Sequence, residues 1–116
     1  MKIKLNIKII DENGNQFLGN GIVWLLEKID IHGSISQAAK EMNMAYSKSW
    51  KIIKNLEKNL GEELLERKKG GNEHGGTKLT LTAKDIVKKY NELKMDITHY
   101  TEKKFDKKLK KLLEQK

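Results

Sequence analysis

The stretch from Gly33 to Gly61 constrains the fold of this chain more than any other. It holds two short helical patterns separated by too few residues for anything but a tight corner, with a glycine at each end. Ser34 or Ser36 offers a hydroxyl to the free N–H groups of a first helical turn, and Gln37, three residues after Ser34, permits a capping box. Ala38 and Ala39 are small enough for another helix to cross closely. The corner falls at Met42-Asn43-Met44, where Asn tolerates the left-handed backbone of a tight turn. A second helix then runs from about Ala45 to Leu60 and stops at Gly61. Such a pair has the form of a helix-turn-helix, whose second helix is built to enter the major groove of DNA.

The second helix has two distinguishable faces. Ile52 or Ile53, Leu56 and Leu60 recur at helical spacing and are expected inside. Ser47, Lys48, Lys51, Lys54 and Asn55 fall outside, with Tyr46 at the exposed N-terminal end. Lysines at positions 48, 51 and 54 form a positive stripe suited to phosphates and guanine edges. A solvated amphipathic helix carries the same pattern, so the surrounding segments have to decide.

Downstream, residues 62–81 read as two short strands around Gly70-Gly71-Asn72-Glu73-His74-Gly75-Gly76, a seven-residue loop with four glycines. That is the form of a wing, a β-hairpin beside the recognition helix, whose glycines allow close approach to a phosphate or a minor groove. Arg67, Lys68, Lys69 and Lys78 crowd its base. A plain glycine-rich turn is the blander alternative, and position favours the wing. The loop lacks the Gly-Lys-Ser/Thr ending of a nucleotide-binding P-loop, so nucleotide hydrolysis is rejected.

Upstream, Ile3, Leu5, Ile7 and Ile9 alternate with Lys2, Lys4, Asn6 and Lys8, which predicts a half-buried strand. Asn13-Gly14 turns it back into a short strand at Gln16-Phe17-Leu18, giving a hairpin over residues 1–18. A helix follows over about Asn20 to Ile31, with an apolar stripe of Ile22, Leu25, Leu26 and Ile29 widened by Trp24 or Val23. From Thr82 to about Leu113 there is neither glycine nor proline, which predicts one long helix capped by Thr82 or Thr80. Ile86, Tyr90, Leu93, Ile97 and Tyr100 form a heptad-like seam on it. The seam fits either packing on the protein's own first helix or pairing with a second copy. The pattern slips after Tyr100, and Phe105, Leu109 and Leu112 continue on a shifted face.

Composition narrows the partners. Across 116 residues the net charge is +8, which favours a polyanion, either nucleic acid or an anionic membrane surface. The first 32 residues are neutral, so the excess lies in the helix pair, the wing and the long helix. One domain spans the whole length. Cysteine is absent, which removes disulfides and thiolate metal sites. No apolar run approaches the ~20 residues of a membrane span, no signal peptide opens the chain, and a cytoplasmic location without membrane contact is expected. His32, His74 and His99 lie far apart with no companion ligand at metal spacing. No nucleophile, acid–base pair or cofactor motif stands out, so neither an enzyme nor a bound cofactor is expected.

Gly33-Ser34-Ile35-Ser36-Gln37-Ala38-Ala39-Lys40, Met44-Ala45-Tyr46-Ser47-Lys48-Ser49-Trp50, and Leu65-Glu66-Arg67 through the paired glycines to Leu79-Thr80 together resemble the N-terminal domain of the molybdate-responsive ModE regulators. A looser similarity reaches the LysR-type regulators. The resemblance implies a mainly α fold with a small β component: a winged helix-turn-helix with an N-terminal β-hairpin and a long C-terminal dimerisation helix. It implies a homodimer held through the N-terminal strands and the first and last helices, bound to a palindrome in double-stranded DNA. It places DNA contact at Tyr46, Ser47, Lys48 and Lys51 and along the wing from Lys69 to Lys78. The full candidate set adds Ser36, Gln37, Lys54, Lys68, Gly71, His74 and Gly75. ModE proper continues into a molybdate-binding module, and these residues leave nothing to form one, so molybdate is not an expected partner. Two other classes remain open: a dimeric interaction module that does not bind DNA, and a small-molecule sensor with a pocket at the dimer interface.

Overall fold

The computed structural model describes residues 1–67 and 76–115. Helix α1 (Asn20–His32) is closed by Gly33, whose φ of 67° is one that residues with a Cβ avoid. Ser34 then opens α2 (Ile35–Glu41), its hydroxyl accepting the Gln37 N–H at 3.1 Å. Of the two serines offered by the sequence, Ser34 is therefore the cap. The corner turns on Asn43, whose φ is 54°. Helix α3 (Tyr46–Leu60) follows and ends at Gly61, φ 72°. Strands β3 (Leu65–Arg67) and β4 (Thr77–Leu79) pair antiparallel. Thr80 caps α4 (Leu81–Phe105) by accepting the Ala83 N–H, and its hydroxyl donates to the Glu63 carbonyl. The cap thus also ties the long helix to the residues entering the hairpin.

Core packing sets the angles between these helices. Leu25, Leu26 and Ile29 of α1 have no exposed surface, and they pack with Ile35 and Ala38 of α2, Ile53 and Leu56 of α3, Leu64, Leu79 and Ala83. Full burial of a leucine or isoleucine side chain contributes about 1.5–3 kcal/mol, so this cluster fixes α3 against α1. Two backbone bonds seat the hairpin: the Thr77 N–H donates to the Gly33 carbonyl at 2.8 Å and the Thr80 N–H to the Leu64 carbonyl at 3.0 Å. The wing base is thereby joined to the entrance of the helix-turn-helix.

The N-terminal segment differs from expectation. Strand β1 covers only Lys8–Ile10 and pairs with β2 (Gln16–Gly19), with an irregularity between Ile9 and Ile10. Residues 1–7 are not in a strand, although Ile3, Leu5 and Ile7 are half-buried and the residues between them exposed. Their apolar side faces α4: Ile3 shares a shallow recess with His99 and Phe105, and the Tyr90 hydroxyl donates to the Ile7 carbonyl at 2.7 Å. The alternation is real, but a helix rather than a strand satisfies it. On α1 it is Val23 that widens the buried stripe, while Trp24 is 61% exposed.

The long helix begins at Leu81, one residue before the expected start. It passes into a π-helical turn at Asp106–Lys110 and ends in a last turn, α5 (Lys111–Glu114). The π turn follows the slip in apolar spacing after Tyr100. The seam on α4 divides. Tyr90 is buried in the protein's own body, where its hydroxyl also meets Asn20 Oδ1 and burial pushes the phenol pKa up. Leu93, Ile97 and Tyr100, farther out along the helix, are uncovered.

Candidate nucleic-acid interface

Helix α3 buries Ser49, Ile53 and Leu56 and exposes Tyr46, Ser47, Lys48, Lys51, Lys54, Asn55 and Lys58. The Ser49 hydroxyl is satisfied within the helix by the Ala45 carbonyl. An α-helix advances about 100° per residue. Ser47, Lys51 and Lys58 therefore share one azimuth opposite the core, while Lys48, Lys51 and Lys54 fan over about 120°. Lys58 was not among the sequence candidates. Its spacing of seven from Lys51 was the signal that places it on the same line.

Lys54 is engaged within the protein. Its ammonium lies 3.1 Å from a Glu57 oxygen and 5.5 Å from the centroid of the Trp50 ring. Glu57, the only acid in α3, is turned inward and accepts the Leu64 N–H at 2.7 Å. Glu57 thus pairs with Lys54 on the flank, and no carboxylate of this helix stands on the face that carries Ser47, Lys51 and Lys58. Trp50, left out of the candidate set, is 41% exposed and follows Tyr46, 50% exposed, by one helical turn.

Ser36 and Gln37 are exposed on the first turn of α2, at the end of that helix away from the corner that leads into α3. Lys78 is exposed on β4 and faces Glu66 across the ladder, so an acidic neighbour offsets part of its charge. Lys68, Lys69, Gly71, His74 and Gly75 lie outside the described residues. The structure thus gathers Tyr46, Ser47, Lys48 and Lys51 on α3, places Ser36 and Gln37 on the adjoining helix, and sets Lys78 at the base of the wing.

A polar clamp joins the C-terminal ends of α1 and α2. Lys28 Nζ lies 2.7 Å from Glu41 Oε1, and His32 Nε2 bonds the other carboxylate oxygen. The Lys28 and His32 hydrogen bonds hold the Glu41 carboxyl below its ordinary pKa of 4.5. A lowered carboxyl pKa gives stabilisation that is present above pH 4.5 and lost as pH falls through the folded-state value. Glu41→Gln is therefore expected to melt at a slightly lower temperature than the native chain at neutral pH, with the gap closing in acid. Thermal melts across the acid range check this, and a gap independent of pH would contradict it.

Three helices packed about a short hairpin, with a lysine face on the third, define a winged helix-turn-helix of the DNA-binding class. A family model described as bacterial regulatory helix-turn-helix protein, lysR family, matches residues 24–84. The chain belongs to that family. Among named relatives, the transcriptional regulator ModE of Haemophilus influenzae is 38% identical over 77 residues, covering 66% of this chain and 30% of that protein. The molybdenum transport protein ModE of Azotobacter vinelandii is 33% identical over 87 residues, covering 75% of this chain and 32% of that protein. The chain thus spans about a third of the length of these curated relatives. The crystal structure of a CbnR DNA-binding domain in complex with DNA superposes with a TM-score of 0.55 at 18% identity, over 72% of this chain and 91% of that one. At that identity the likeness speaks to the fold alone.

Proposed function

We propose that this chain binds double-stranded DNA in a sequence-selective manner as a homodimer, with α3 of each protomer in a major groove and the wing beside it. The observation that carries this is the outward face of α3, where Ser47, Lys48, Lys51, Asn55 and Lys58 are exposed and the single acid of the helix faces inward. Tyr46, Ser47, Lys48 and Lys51, on the first two turns, are placed to meet base edges, as N-terminal residues of recognition helices do. Lys58 and Lys78 neutralise phosphates, Ser36 and Gln37 approach the backbone from α2, and Lys54 follows when Glu57 releases it. The wing residues Lys68, Lys69, Gly71, His74 and Gly75 complete the set from the sequence. Leu93, Ile97 and Tyr100 supply the dimer contact. Among the described residues no helix is long and apolar enough to cross a membrane. The similarity to the ModE proteins covers about a third of their length, and no molybdate site is carried over to these residues.

Selection of bound fragments from a genomic library, followed by sequencing, tests the proposal. The expected result is enrichment of a two-fold symmetric motif with half-sites about one helical turn (34–36 Å) or a multiple apart. Enrichment no greater than that of composition-matched random DNA would overturn it.

A further inference from the structure

Resting on that DNA-binding reading, we infer that Trp50 is a specificity-determining residue that, with Tyr46, reads the 5-methyl groups of thymines in the major groove. Tyr46 and Trp50 lie four residues apart on the first two turns of α3, the part of a recognition helix that meets base edges. Both present large apolar surface to solvent, 50% and 41% exposed. Tyr46 stands at the N-terminal end of the helix, and Trp50 lies on the flank between the lysine face and the core, lining a recess with Ile35, Ile53 and Lys54.

The chemistry of the groove decides what such a strip can recognise. Major-groove base edges present hydrogen-bond donors and acceptors at every base pair, and the thymine methyl is their one apolar group. An aromatic ring pressed against guanine or cytosine edges strips water from polar atoms and returns little, because indole has a single N–H donor and no acceptor. Against a thymine methyl the same ring loses nothing polar and buries a carbon. One side of the ring is already in contact before DNA arrives: Lys54 Nζ sits 5.5 Å from its centroid and is itself paired with Glu57.

Removing only the methyls tests the inference without altering the protein. A duplex selected by the native chain is prepared with thymidine and again with deoxyuridine, which pairs identically and lacks the methyl. One methyl's burial corresponds to about three- to fivefold in affinity, and two half-sites together to about tenfold or more. The native chain is expected to bind the deoxyuridine duplex weaker by that factor. Trp50→Ala is expected to bind the thymidine duplex more weakly and to bring the ratio between the two duplexes close to one. Trp50→Phe, which keeps an aromatic ring, is expected to retain part of the ratio. Equal binding of both duplexes by the native chain overturns the inference while leaving DNA binding intact, as does an undiminished ratio in a folded Trp50→Ala. Should the native chain select no duplex at all, the DNA-binding reading and this inference both fall.

Discussion

Binding to a selected duplex is expected to fall by about a thousandfold between about 50 and 200 mM monovalent salt. The estimate follows from counterion release, which lowers the logarithm of affinity by ~0.9 per phosphate contact for each decade of salt. About three lysine contacts per protomer, or about six across a dimer, give that loss. Lys58 and Lys78 are exposed, and Lys54 reaches a phosphate by leaving a surface pair with Glu57 that is worth little. Two substitutions separate the roles. Lys78→Ala should weaken binding to all sequences alike and flatten the salt dependence by about one contact per protomer. Lys51→Ala should cost about 1–3 kcal/mol on the selected duplex and relax its sequence preference. Titrations of native chain and variants at several salt concentrations give both numbers. Salt-insensitive binding contradicts the mechanism, and interchanged phenotypes mean that the groove assignment is reversed.

The helix-turn-helix was legible because its signals are local. Ser34 caps α2, Asn43 takes the left-handed turn and Gly61 stops α3, and each follows from the backbone preference of one residue type. Other features depended on what lies across from a segment, which a linear pattern does not encode. Alternation in Ile3, Leu5 and Ile7 reports that every second side chain meets an apolar surface. It does not say whether that surface is a strand or, as here, α4. Helix α1 carries Ile22, Val23, Trp24, Leu25, Leu26, Ile29 and Ile31, more apolar residues than one face can hold. Only the packed structure shows that Val23 is inside while Trp24 and Ile31 are out. The stripe at positions 48, 51 and 54 was visible as charge, but spacing by three turns steadily around a helix, and Lys54 ends on the flank beside Trp50 and Glu57. Glu57 accepts the Leu64 N–H and so anchors the residues entering the hairpin, a contact that no local pattern encodes.

Replacing Leu93 and Tyr100 together by glutamate is expected to leave a folded monomer that has lost most of its affinity for the selected duplex. The seam on α4 fits self-packing or pairing with a second copy, and the protein's own body covers only its first part. Tyr90 belongs to the protein's own core, whereas Leu93, Ile97 and Tyr100 are 43%, 37% and 64% exposed. Leu93 lies level with the N-terminal end of α1 and Ile97 and Tyr100 beyond it, along a molecule that extends 65 Å in its longest dimension and only 30 and 24 Å in the others. Three adjoining apolar side chains left in water on a rigid helix are a contact surface awaiting a cover, and a second copy presents the same surface with two-fold symmetry. Lys104 Nζ, 5.6 Å from the Tyr100 ring centroid, stands at its rim. Glutamates at both positions desolvate unpaired carboxylates if the interface forms, so they oppose dimerisation without entering the core. Once the protomers part, the second half-site no longer binds at high effective concentration, and affinity is expected to fall by about a hundredfold or more. Sedimentation velocity gives the oligomeric state, circular dichroism verifies that the variant folds, and titration gives the affinity. A variant that remains dimeric with unchanged binding would place the protomer contact elsewhere, with Trp24 and Ile31 of α1, 61% and 70% exposed, as the next surface to alter.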